Sequence, residues 1–206
     1  MGKLTLTTFL TLDGVMQAPG APTEDPSDGF GYGGWLVPYA DPDMGRFVTE
    51  WMAQADAFLL GRGTYQIFSA YWPRITDPDN AVATALNRLP KHVASTTLDQ
   101  VQWEASSLIK GDLATEIAAL KHRYPRELQV HGSAGLAQTL IAKDLVDEYR
   151  LWLYPVILGR GKRLFGSGAV PAALELIDVR RTSTGVAVHT YRRKGPPTFG
   201  SFALAE

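Results

Sequence analysis

Leu128-Gln129-Val130-His131-Gly132-Ser133-Ala134-Gly135-Leu136 is the stretch that decides the fold. Leu128–His131 has the length and apolar content of a short strand. It runs directly into a glycine turn, after which Leu136, Leu140 and Ile141 recur at helical spacing. The same order occurs earlier in the chain. Ala57-Phe58-Leu59-Leu60 is a continuous apolar run of the kind buried on both faces of a sheet, and Gly61-Arg62-Gly63-Thr64 turns it into a short helix through Phe68. Repeated strand, glycine turn and helix predict parallel strands joined by helical crossovers.

The pattern continues on both sides of these units. From Lys3 to Leu12 the chain alternates, with Leu4, Leu6, Leu10 and Leu12 on one face and mostly threonine on the other, which predicts a first strand. Residues 13–40 are rich in proline and glycine and form a long loop, a candidate for covering a site. Asp41 and Pro42 supply a cap and a first-turn proline for an amphipathic helix bearing Met44, Phe47, Val48, Trp51 and Met52. A helix near Asp79–Leu89, a strand over 91–95 and a helix capped by Asp112 and stopped by Pro125 follow. A strand at 148–156 and a hairpin, Leu174–Thr182 with Val186–Arg192, close the fold. The expected architecture is α/β: a mostly parallel central sheet, helices on both faces, and a C-terminal antiparallel hairpin. Residues 1–194 form one domain on this reading, and 195–206 form a loose tail.

Composition narrows the partners. The chain has 206 residues, 45 % apolar and 20 % charged, which is ordinary globular composition. Its 20 basic and 21 acidic residues nearly cancel, so nothing draws it to nucleic acid or to an anionic membrane. The absence of cysteine removes disulfides and thiolate chemistry, and no signal peptide or spanning segment is visible, which points to a cytoplasmic protein. His92, His122, His131 and His189 are scattered without metal-ligand spacing, so no metal is expected.

In parallel sheets ligands sit outside the carboxyl ends of the strands, where 61–64, 95–97 and 132–135 fall. Gly132-Ser133-Ala134-Gly135 at a helix start is either a tight turn or a cradle for a phosphate. Gly61-Arg62-Gly63-Thr64 repeats the logic with a guanidinium suited to an anion. Together with Ser95 and Thr96, the two turns point to a nucleotide. Tyr65, Tyr71 and Trp72 offer faces for a planar heterocycle or pack beneath the loop.

The series Thr11-Leu12-Asp13-Gly14, Leu59-Leu60-Gly61-Arg62-Gly63-Thr64-Tyr65, Lys91-His92-Val93-Ala94-Ser95-Thr96, Val130-His131-Gly132-Ser133-Ala134-Gly135-Leu136 and the segment 145–165 resembles the dihydrofolate reductase-like superfamily. Within it the resemblance is to the branch holding the reductase domain of riboflavin-pathway deaminase-reductases, and it covers about residues 3–193. It implies NADPH as cofactor. Arg62, Ser95 and Thr96 would then face the 2′-phosphate, while Gly61, Thr64, Gly132, Ser133, Ala134, Gly135 and Leu136 would lie along the pyrophosphate. Leu12, Asp13, Val15 and Met16 would border the nicotinamide. The resemblance also marks departures. Where the pyrimidine reductases carry a lysine and an acidic residue, this chain has Thr7 and His131, and Ser133 replaces the second of paired glycines. The carboxylate that dihydrofolate reductases place on their first helix is matched in position only by Asp43.

The expected activity is hydride transfer from NADPH to a small planar substrate bound beside Tyr65, Tyr71 and Trp72, with Asp13 and Asp43 as candidate catalytic groups. The alternative is a non-catalytic protein that sequesters a ligand in the same pocket. A homodimer is expected, because Leu151-Trp152-Leu153-Tyr154 and the closing hairpin carry more apolar surface than a solvated edge should expose.

Overall fold

The structure, a computed structural model, describes residues 1–166 and 169–203. Strand β1 (Lys3–Thr11) leads through the long loop to helix α1 (Pro42–Met52), then β2 (Ala55–Gly61), α2 (Arg62–Tyr71), α3 (Ala81–Arg88) and β3 (Lys91–Ala94). Strand β4 (Ser106–Ile109), α4 (Leu113–Arg123), β5 (Glu127–His131), α5 (Ala134–Ala142) and β6 (Glu148–Tyr154) follow, and β7 (Ala173–Arg181) with β8 (Ala187–Gly195) closes the chain. The sheet order is β4-β3-β2-β5-β1-β6-β8-β7. The pairings from β4 to β6 are parallel, and the pairings of β8 with β6 and β7 are antiparallel. The α/β class, the helices on both faces and the antiparallel C-terminal strands agree with the expectation.

Local signals place the helices as they were read. The Asp41 carboxylate accepts from the Met44 amide at 2.8 Å and Pro42 opens the first turn of α1. Asn80 and Asp112 cap α3 and α4 in the same way. Helices α4 and α5 cover one face of the sheet, packing Ile117, Leu120, Leu140 and Ile141 on Leu4, Leu6, Leu128 and Val130. On the other face Phe47 and Trp51 of α1 meet Trp152, the Trp51 and Trp152 rings standing edge to face at 5.5 Å.

Two features lie outside the sequence reading and one argument of it changes. Strand β4 carries serine at two of four positions and had no readable periodicity; it forms because the exposed edge of β3 offers it a ladder. The threonine face of β1 is not solvated: Thr5, Thr7 and Thr11 are buried, because α1 and the long loop cover that side. Trp152 and Tyr154, part of the argument for a dimer, are interior, since β6 lies between β1 and β8. Exposed apolar side chains occur instead on the edge strand β7, at Leu176 and Val179. Residues 196–203 form no helix or strand, and 204–206 of the expected tail lie outside the described residues.

Candidate active site

Parallel pairing brings the carboxyl ends of β1, β2, β3 and β5 to one edge, where a cleft of ≈ 1630 Å³ opens. The turns after β2, β3 and β5 all line it, with Gly61, Arg62, Thr64, Ser95, Thr96, Gly132, Ser133, Ala134, Gly135 and Leu136 on its wall. Met16 and Trp72 also line it. Gly61 sits at the close approach of the two glycine turns: a Cβ there would stand 3.3 Å from the Cβ atoms of both Ser133 and Leu136, tighter than ordinary contact. Ser133 fastens the turns together. Its backbone is left-handed (φ 62°), and its Oγ accepts the Gly61 amide at 3.0 Å. The Ser95 hydroxyl accepts the amides of Thr97 and Leu98, which shapes the loop after β3.

Other expected site residues fall outside the lining. Leu12 is exposed, and Val15 is buried against the 158–164 segment through its bridge to Arg163. The Asp13 carboxylate is occupied on both oxygens, accepting from the Thr11 hydroxyl at 2.6 Å, the Leu158 and Gly159 amides and the Arg163 guanidinium. The Thr11 hydroxyl is the main cause holding Asp13 below the ordinary carboxylate range. Asp13 therefore ties two loops together and is not presented to the cleft. Asp43 pairs with Arg46 and accepts the Ser183 amide, pinning α1 to the closing hairpin. The Tyr65 hydroxyl accepts the amides of Gln102 and Trp103, and Tyr71 packs edge-on to Trp72 at the surface.

Phe9 of β1 lines the cleft, as do Met44, Val48, Trp51 and Met52, read from sequence as packing residues of α1. Their helical stripe gave no sign that one end of it borders empty space. Gln17 was missed too: its side chain donates to the carbonyls of Asp25 and Ser27 and accepts from the Lys162 amide, holding the long loop against the strap 158–164. Arg62 and Lys110 line the cleft without an ion pair among the described residues, and Asp99 lines it from the loop after β3. Lys162, by contrast, is bonded to Asp25 at 2.6 Å.

Of β5, His131 lines the cleft, and the alternate residues behind it on the same strand support it. Glu127, Gln129 and His131 share the face under α1 and are linked in sequence. Arg150, itself buried, bonds both oxygens of Glu127 at 2.7 and 3.0 Å, and Lys3 reaches Glu127 at 3.2 Å. The Gln129 amide nitrogen donates to Glu127 at 2.6 Å and to the Trp51 carbonyl at 2.7 Å. Its oxygen is thereby left to accept, and His131 Nε2 lies 3.0 Å from it. Burial pushes the His131 pKa down to about 4, with Arg150 acting in the same direction and Glu127 against it. His131 is thus neutral and protonated on Nε2, with no partner on Nδ1 among the described residues. Its register partner on β1 is Thr7, which also lines the cleft. Among the described residues no cluster of three metal-ligating side chains occurs, and no helix is long and apolar enough to cross a membrane.

Comparison with known proteins agrees with this architecture. The chain is 29 % identical over 195 residues to the uncharacterised protein YyaP of Bacillus subtilis, covering 94 % of this chain and 96 % of that one. It superposes with a TM-score of 0.70 on a protein of Shewanella sp. PV-4 assigned to riboflavin biosynthesis, at 23 % identity, covering 93 % of this chain and 99 % of that one. A Thermotoga maritima diaminohydroxyphosphoribosylaminopyrimidine deaminase/5-amino-6-(5-phosphoribosylamino)uracil reductase shares the fold at a TM-score of 0.60 and 15 % identity, over 94 % of this chain and 57 % of that one. A family profile described as the RibD C-terminal domain matches residues 2–188. Because those residues run from the start of β1 into β8, the match takes in the whole parallel part of the sheet and every turn of the cleft, and the chain belongs to the RibD C-terminal domain family.

Proposed function

We propose that the protein is an NADPH-dependent reductase that passes hydride to a small planar heterocycle. The observation that carries this reading is the convergence of three strand-end turns on one cleft, two of them at helix starts, with Arg62, which has no ion pair among the described residues, on one of them. Membership of a reductase family supports oxidoreductase chemistry.

The residues fit the cofactor. Gly61 is kept free of a side chain where the turns meet, the Gly132-Ser133 turn carries two successive left-handed residues at the start of α5, and Arg62 and Lys110, without an ion pair among the described residues, line the same cleft. Gly61, Thr64 and residues 132–136 would hold the pyrophosphate, and Arg62 with Ser95 and Thr96 would hold the 2′-phosphate. NADPH, when bound, supplies the hydride. The chain positions the acceptor and excludes water with the long loop. Asp99 would favour the ribose hydroxyl of NADH, so comparing the two cofactors is informative. Neither dihydrofolate nor the riboflavin-pathway pyrimidine should turn over efficiently, because Thr7 and His131 are uncharged and Asp43 is committed to Arg46 and Ser183; kcat/KM should stay below ~10⁴ M⁻¹s⁻¹.

The reading places the enzyme in the cytoplasm, consistent with its lack of cysteine. It also makes the enzyme a homodimer, for which the exposed Leu176, Ile177 and Val179 of β7 offer apolar surface. The test is a fluorescence titration with NADPH and NADH, followed by NADPH oxidation against a panel of planar heterocycles. Micromolar NADPH binding with turnover of at least one compound is expected. Absence of NADPH binding at millimolar concentration refutes the reading, and binding without any turnover favours ligand sequestration.

A further inference from the structure

Three helices bring apolar ridges to the cleft. Met44, Val48 and Met52 recur every four residues along α1, Phe68 and Trp72 stand four apart at the end of α2, and Val82 and Leu86 do so on α3. All of them line the cleft. Met52 and Leu86 are buried in one apolar cluster, and Val48, Phe68, Trp72 and Val82 pack against it while staying only half-buried. Those four are apolar surface on the cleft wall that the fold itself leaves uncovered. Ile67 of α2 adds an exposed side chain to the same wall.

Charge is kept away from these ridges. Of the residues of α1 and α3, only apolar side chains and Gly45 line the cleft. The charged residues of α1 are engaged elsewhere: Arg46 pairs with Asp43 and Glu50, and Glu50 is bonded to Arg180 of β7. Asp41, at the entrance to α1, has both carboxylate oxygens taken, one by the Met44 amide and the other by Ser183 and Thr184. On the long loop Lys162 is bonded to Asp25, and Glu24 accepts the amides of Gly20 and Ala21. The cations of the cleft without an ion pair among the described residues, Arg62 and Lys110, come instead from the turns after β2 and β4. A site for one small molecule occupies about 300–1,000 Å³, so a cleft of ≈ 1630 Å³ has room for a second molecule beside a nucleotide.

We propose that the arm of the cleft walled by α1, α2 and α3 binds an uncharged molecule with an aryl or hydrocarbon body, and that the hydride acceptor is of this class rather than a sugar phosphate. The inference rests on the reductase reading for naming that molecule the acceptor, but not for its binding. A phosphate or carboxylate set among these ridges would lose its hydration with no cation to replace it. An apolar ring there removes from water both its own surface and that of the four half-buried side chains.

The test is calorimetric titration of the cofactor-free protein with 2-naphthol, with 2-naphthoate, which has nearly the same outline and a negative charge, and with ribose 5-phosphate. The naphthol should bind at least about tenfold more tightly than either of the others. Val82→Lys sets a cation on the arm and should weaken the naphthol about fivefold while tightening the naphthoate about fivefold, a reversal that lost packing alone does not produce. Val82→Thr keeps the outline, decides the matter if lysine unfolds the chain, and should weaken the naphthol about threefold. Four results each overturn the proposal: equal or tighter wild-type binding of the naphthoate or the sugar phosphate, no naphthol binding, a folded Val82→Lys that weakens both naphthalenes, or affinities that neither variant alters. These titrations use no NADPH, so their failure leaves the reductase reading standing, and a failure of the cofactor titration leaves this binding site standing.

Discussion

Replacing Ser133 by alanine and, separately, by glycine resolves two opposing contributions at one residue. The left-handed backbone of Ser133 (φ 62°) costs an L-residue about 1 kcal/mol or more. Its Oγ, 3.0 Å from the Gly61 nitrogen, offsets this by satisfying a buried amide. Alanine keeps the unfavourable backbone and loses the acceptor, a loss of about 1.5 kcal/mol. Glycine loses the same acceptor but releases roughly 1 kcal/mol of backbone cost. For a domain of this size 1 kcal/mol corresponds to about 2–4 °C. Ser133→Ala should therefore melt about 3–6 °C below wild type, and Ser133→Gly within about 2 °C of it. Thermal unfolding followed by circular dichroism, with urea midpoints at constant m, measures both. Equal losses in the two variants would show that the backbone at 133 carries no strain. An unaltered alanine variant would show that the bond to Gly61 contributes nothing.

Three further outcomes follow from the site and its support. Arg62→Ala should weaken NADPH by roughly one to two orders of magnitude and leave NADH nearly unchanged, read by fluorescence titration; equal weakening of both would count against Arg62 as the phosphate reader. Arg150→Leu leaves Glu127 and Glu148 buried with Lys3 as their remaining cation, and should cost about 3–5 kcal/mol in urea unfolding; a loss below about 1 kcal/mol contradicts the ion-pair geometry. His131 titrates at about 4 in the fold against 6.5 unfolded, so the unfolded chain takes up the proton first as the medium is acidified. Stability from this residue is complete above pH 6.5 and falls between pH 6.5 and 4, by at most about 3 kcal/mol. Wild type should lose more stability over that window than His131→Leu, and parallel pH profiles of the two would refute the assignment.

The strand-turn-helix units were legible because each ends in glycine where parallel geometry demands a tight turn, and the same glycines marked one wall of the cleft. The polar series behind His131 was not legible. In β5 every residue is buried or nearly so, and Glu127, Gln129 and His131 alternate with Leu128 and Val130. A strand covered on both faces shows no solvent side against which a polar stripe would stand out. Asp13 was a candidate because the resemblance sets it beside the nicotinamide. Its actual partners, Leu158, Gly159 and Arg163, lie some 145 to 150 positions away and leave no local trace. Strand β4 escaped notice for a related reason: its conformation is imposed by the neighbouring edge of β3 rather than by its own residues.

The position of β1 has a consequence for synthesis. It leaves the ribosome before the other strands of this sheet, yet it lies between β5 and β6, and Lys3 bonds Glu148, 145 positions later. At about 5–20 residues per second the nascent chain carries this apolar segment unpaired for roughly 7–30 s. Helix α1 and the β2-α2 unit emerge meanwhile and can pack locally, but the slot for β1 does not exist until β5 and β6 arrive. The strand of this sheet made before all the others is thus among the last seated, and a ribosome stalled before residue 127 displays a sticky, partnerless strand that chaperones must shield.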